Sequence, residues 1–104
     1  MDKLEELLII LSEECAEVSQ AAIKCIRFGM DSVYDEESNR ERLEHELGDF
    51  MVMFKLLAEE TAIREENVMD AAEAKLIKVE KFMKNGKPKP AYRSNPGSIQ
   101  NPIR

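Results

Sequence analysis

Placed at 100° per residue, Leu4, Leu7, Leu8, Leu11, Cys15, Val18, Ala22 and Ile26 fall on one broad stripe, which predicts an amphipathic helix. The helix opens at Asp2, where Glu5 three positions later completes a capping-box pattern. It runs to Phe28 and stops at Gly29, a residue suited to the position just past a helix end. A second apolar strip, Ile10, Ala21 and Phe28, has Glu14 and Glu17 in or beside it, with Gln20 and Lys24 next to them. Residues 30–37 lose the period and read as a loop; Ser32 and Ser38 both offer a cap for the next helix. That second helix begins between 35 and 39 and ends near Thr61. Its first turns, Asn39-Arg40-Glu41-Arg42, read as polar and solvated. From Phe50 onward, Phe50, Met51, Val52, Met53, Phe54, Leu56, Leu57 and Ala58 cover nearly every direction, the mark of a helix buried on all sides. Three helices of one chain cannot enclose it, so this helix is expected to form a subunit interface.

A third helix starts near Glu65–Asn67 and runs to about Lys84, with Val68, Ala72, Leu76, Val79 and Met83 as its core stripe. Lys75 and Lys78 flank that stripe, and Asn85-Gly86 ends it. The expected fold is all-α: three main helices per chain, forming a four-helix-bundle-type core completed by oligomerisation. Residues 1–86 make the helical domain. Residues 87–104 hold all four prolines and no helical period, and read as a tail, disordered or packed on a neighbouring subunit.

At 104 residues the chain is expected to form one domain with a modest core. Of the net charge of −6, the tail contributes +4 through Lys87, Lys89, Arg93 and Arg104, which leaves −10 on residues 1–86. An acidic body argues against duplex nucleic acid as a partner, though not against a nucleotide delivered with its metal. No apolar run spans about 20 residues and the N-terminus is acidic, so neither a membrane partner nor a secretory signal is expected. Cys15 and Cys25 lie about 15 Å apart by helical rise, too far to bridge, which suits a reducing, cytoplasmic setting.

The chemistry lies in two acidic couples. Glu14/Glu17 and Glu46/Asp49 each stand three apart on a helix, with Cβ atoms roughly 5–6 Å apart. If the two helices pack side by side, four carboxylates converge. Such a cluster either takes up protons or holds a hard cation, and all-oxygen ligands suit Mg²⁺, Mn²⁺ or Ca²⁺. The alternative is four solvated surface acids, the usual fate of glutamates, against which their apolar neighbours count.

Glu13-Glu14-Cys15-Ala16-Glu17, followed by Glu46-Leu47-Gly48-Asp49, resembles the EExxE…ExxD signature of the MazG-like, all-α nucleoside triphosphate pyrophosphohydrolases. The segment around the first couple and the Arg27-Phe28-Gly29 ending are similar to the short, single-domain members, including phage-type ones; the similarity covers roughly residues 1–85. The resemblance implies Mg²⁺, or Mn²⁺, held by Glu14, Glu17, Glu46 and Asp49. It implies hydrolysis of a (deoxy)nucleoside triphosphate at the α–β bond to monophosphate and pyrophosphate, as in nucleotide-pool cleansing. It also implies a dimer or tetramer built through the second helix. Val79 and Phe82 stand where the family pattern on the third helix has Asn and Arg.

Glu13, beside Glu17, either orients or deprotonates the water or is an exposed acid; with Glu17 it makes the candidate catalytic pair. Lys24, Lys75 and Lys78 either hold phosphates as point charges or face solvent. Phe28 either stacks on a base or packs in the core, and Arg27 reads as a surface residue. His45 has no second His or Cys nearby and is given no ligand role. Two other readings share these residues: phosphoribosyl-ATP pyrophosphohydrolase, and a non-catalytic helical oligomer that binds metal structurally.

Overall fold

The computed structural model describes residues 1–88; the expected tail therefore falls, from residue 89 on, outside the described residues. The described residues fall into two compact units, one over Met1–Ala62 and one from Ile63 on. The described residues are all-α in class, with three helices and one two-residue ribbon. None of these helices is long and apolar enough to cross a membrane.

The first unit is a helical hairpin. Helix α1 (Lys3–Phe28) is capped by Asp2, whose Oδ1 accepts the Glu5 N–H at 2.8 Å. It ends at Gly29, which donates to Cys25 O at 3.0 Å with φ +94°, a conformation that favours a residue without Cβ. The stretch expected to be loop contains a ribbon, β1 (Val33–Tyr34) against β2 (Glu37–Ser38), paired Val33 with Ser38 and Tyr34 with Glu37. Its two turn residues, Asp35 and Glu36, have φ +54° and +67°. That is the geometry of a tight hairpin turn usually signalled by Asn-Gly, so the Asp-Glu pair hid it. Of the two candidate caps, Ser38 is the one used. It accepts the Glu41 N–H at 3.0 Å while Glu41 accepts the Ser38 N–H at 3.0 Å, and that backbone bond holds the Glu41 carboxyl below its ordinary value.

Helix α2 (Asn39–Glu59) closes in a Schellman arrangement: Thr61 N–H donates to Ala58 O and Ala62 N–H to Leu57 O, both at 3.0 Å. Thr61 takes the left-handed position there, at φ +56°.

Contacts at both ends fix α1 and α2 as antiparallel. At one end Asn39 Nδ2 donates to Gly29 O at 2.9 Å and to Lys24 O at 3.5 Å, and Cys25 Sγ lies 3.6 Å from Asn39 O. At the other, Lys3 Nζ lies 2.9 Å from Glu60 Oε2, an exposed pair that contributes little to stability. The buried and half-buried positions repeat at alternating steps of three and four. On α1 they include Leu7, Leu11, Glu14, Val18, Ala21 and Cys25; on α2, Asn39, Leu43, Glu46, Met53 and Leu57. This is the spacing of a coiled-coil seam.

The seam corrects the stripe expected for α1. Leu4, Leu8, Cys15 and Ile26 are exposed, and Ala21, assigned to the second strip, lies at the centre. Apolar residues occupy most of the circumference of α1, so only the packing of α2 selects the buried arc. Asn39 is a second correction: it is buried, not solvated. Its amide reaches back to the end of α1, where its shorter bond is to Gly29 O, a carbonyl that also accepts the Ser32 N–H at 3.4 Å. Asn39→Leu is expected to lower unfolding free energy by about 0.5–1.5 kcal/mol in a urea titration, because the part-buried bond that ties the start of α2 to Gly29 O is lost.

Of the apolar run in α2, Met53 and Leu57 are buried and Phe54 and Ala58 half-buried, while Phe50, Met51, Val52 and Leu56 are exposed. In the second unit, α3 (Glu65–Phe82) stops two residues before the expected end, at Met83, whose backbone is extended. Leu76 is its buried residue, with Ala72 and Val79 half-buried beside it and Val68 and Met83 exposed. Gly86 adopts φ +118°, and Lys87 Nζ meets Glu80 O.

Candidate metal centre

The end contacts set the register of the hairpin, since Cys25 meets Asn39 and Lys3 meets Glu60. Carried to the middle, the same register places Glu17 opposite Glu46 and Glu14 opposite Asp49. Glu14 and Glu46 occupy seam positions, where apolar residues are the rule. Glu17 and Asp49 stand three residues further along their helices, on one flank of the seam.

One carboxylate oxygen each from Glu14, Glu17 and Glu46 lie within 4.8 Å of one another. Two Mg–O bonds of about 2.1 Å placed end to end nearly span that separation, so a small side-chain movement would let the three share one ion. Asp49 is not in the trio, but its charge reaches both seam glutamates.

The electrostatics are those of a crowded acidic pocket. Burial pushes the Glu14 carboxyl above the usual carboxylate value, and the charges of Glu17, Asp49 and Glu13 push it further. Glu46 is raised first by the Glu17 carboxyl within hydrogen-bonding reach, then by burial, then by the charges of Glu17, Asp49 and Glu14. Among the described residues, the ion pairs join Lys3 to Glu60, Arg40 to Asp31, and Arg42 and His45 to Glu37. None of them reaches the cluster. Glu14 Oε2 and Glu46 Oε2 are buried without a hydrogen-bond partner. Buried polar atoms are normally paired, so two acidic oxygens left without donors in one pocket fit a hard cation as the missing partner. Protons can serve in its place at low pH.

The other expected residues divide by environment. Glu13 is exposed at the rim and acts on Glu14 through charge. Lys24 is exposed on α1; Lys75 and Lys78 are exposed on α3, in the second unit. Phe28 does not pack in a core: it is 58% exposed, with the Arg27 guanidinium 5.1 Å from its ring centroid. His45 Nδ1 lies 2.8 Å from Glu37 Oε2, away from the acidic trio's partners. A Cβ added at Gly48 would meet nothing within 4 Å among the described residues.

Two groups are not anticipated from the sequence. Asn39 is legible in the three–four spacing of residues 39, 43, 46, 53 and 57 once α2 is phased from its acids. The Glu37 clamp on Arg42 (3.1 Å) and His45 has no such signal, because it depends on the ribbon turning back over α2.

Comparison with models of known protein families, with characterised proteins and with solved structures returns no match.

Proposed function

We propose that this chain is a divalent-metal-dependent nucleotide pyrophosphohydrolase of the MazG-like, all-α kind, acting on a (deoxy)nucleoside triphosphate at the α–β bond. One observation carries the reading: three carboxylates converge across two antiparallel helices, with two of their buried oxygens unpartnered. Glu14, Glu17 and Glu46 would hold Mg²⁺ or Mn²⁺, with Asp49 at the edge of the set. When bound, the ion polarises phosphoryl oxygens and lowers the pKa of a coordinated water.

The chain's own residues supply the rest. Glu13, exposed beside the trio, accepts a proton from the attacking water, and Glu17 shares that role from within the cluster. Lys24 offers a point charge to phosphate from α1. The overall step consumes one water, breaks the α–β phosphoanhydride and leaves nucleoside monophosphate and pyrophosphate. Substrate of this kind belongs to the cytoplasmic nucleotide pool.

The reading includes an oligomer. Leu47, Phe50, Met51, Val52 and Leu56 of α2 are exposed, as are Ile9, Ile10, Ile23 and Ile26 of α1. Apolar surface this extensive around one hairpin is a hallmark of an assembly face. Two hairpins joined through α2 would form the four-helix core.

The test is a panel of canonical and damaged (deoxy)nucleoside triphosphates with Mg²⁺, scored for pyrophosphate against orthophosphate. Pyrophosphate in equal amount to monophosphate is expected. Orthophosphate alone would remove the α–β assignment.

A further inference from the structure

Resting on the hydrolase reading, we infer that Phe28 is the platform on which the substrate's base stacks, and that the flank of α1 from Glu17 through Lys24 to Phe28 is the bed of the nucleotide. Glu17, Lys24 and Phe28 lie within about 40° of one another around α1, on one side of the seam. From Glu17 to Phe28 the helix rises about 16 Å. Long side chains on a helix lean toward its N-terminus, so the Phe28 ring is tilted back toward Lys24 and the acids.

The order of chemistry along this flank is acidic trio, lysine, aromatic ring. A metal-bound nucleoside triphosphate presents the matching order: cation, phosphates, base. Phe28 is a large apolar side chain held 58% exposed at a helix end. Its ring is pre-set by the Arg27 guanidinium, a cation over a π face, which leaves the ring's remaining surface for a base. Stacking of this kind tolerates every base, because each has a π face. It therefore fits an enzyme that takes a class of nucleotides, with selection among bases left to other groups.

The chain contains no tryptophan, so Phe28→Trp introduces a single reporter. Calorimetric titrations of the wild type and Phe28→Ala use the α,β-imido analogues of ATP and dUTP, and inorganic tripolyphosphate, each with Mg²⁺. Phe28→Ala is expected to weaken both analogues by about 5- to 150-fold while leaving tripolyphosphate unchanged. Fluorescence of Phe28→Trp is expected to be quenched by both analogues and not by tripolyphosphate. Analogue affinity unaltered by Phe28→Ala overturns the platform, and a change in oligomeric mass without a change in analogue affinity reassigns Phe28 to an interface. In either case tripolyphosphate binding leaves the hydrolase reading standing. If the wild type binds neither analogue nor tripolyphosphate, both readings fall together.

Discussion

Glu46→Gln is expected to lower pyrophosphate release by more than 100-fold while the metal-free protein melts at the same temperature or higher. Losing a partner in the outer shell of a metal site costs about 10- to 100-fold, and Glu46 is placed to touch the ion itself. The second half of the expectation separates catalysis from scaffolding. Glu46 sits in the seam with its charge opposed by Glu17, by burial and by two more acids, and one of its oxygens has no donor. Gln keeps the shape, removes the charge and brings a donor amide for the Glu17 carboxylate. A seam residue that only supported the hairpin would unfold it when changed. Loss of turnover together with a collapse of the melting temperature in chelator would therefore sink the catalytic assignment.

The second large effect links stability to pH and metal. Glu14 and Glu46 are both raised above the ordinary carboxylate value of 4.5 in the folded chain. Their protons are thus held more tightly folded than unfolded, so they favour the fold most at pH below about 4.5. That contribution is lost as pH rises through their elevated values. In chelator, this pair makes the melting temperature fall as pH rises above about 4.5. Saturating Mg²⁺ or Mn²⁺ reverses the slope, because the ion binds the deprotonated set and competes with protons. At a metal concentration 100 times Kd, the gain is about 2.7 kcal/mol, or roughly 10–20 °C for a domain of this size. Scanning calorimetry at pH 5 and pH 8, with chelator and with Mg²⁺, measures both slopes. Equal stabilisation by metal at the two pH values would rule out these carboxylates as the ligands.

How far the residues foretold the molecule depends on what each signal measures. Caps are local, so Asp2, Gly29 and the Ser38–Glu41 box were legible or narrowed to a choice of two. The i,i+3 acids could be read because helical geometry alone puts them on one face. That Glu14, Glu17 and Glu46 meet across two helices needed one further fact, the hairpin register, and no local pattern encodes it. The α1 stripe came out rotated for the same reason: with leucines and isoleucines on most sides, periodicity identifies a helix without saying which arc its neighbour covers. The ribbon at residues 33–38 was invisible because Asp35 and Glu36 do what Asn and Gly usually do. Phe28 is the instructive case. Apolar character predicts burial on average, yet the chain leaves this ring in the open beside a guanidinium.

The Asn39 buckle carries a consequence for how the chain tolerates changes of length. It holds the phase between the two rods at the bend end of the hairpin, about two turns from the Glu46 carboxylate. Residues added at the tip of the ribbon leave that phase alone, because the buckle lies inboard of the tip. One residue inserted between 39 and 46 swings Glu46 through about 100° and scatters the trio, however well the helix itself survives. The hairpin is thus elastic at its bend and strict along its shafts.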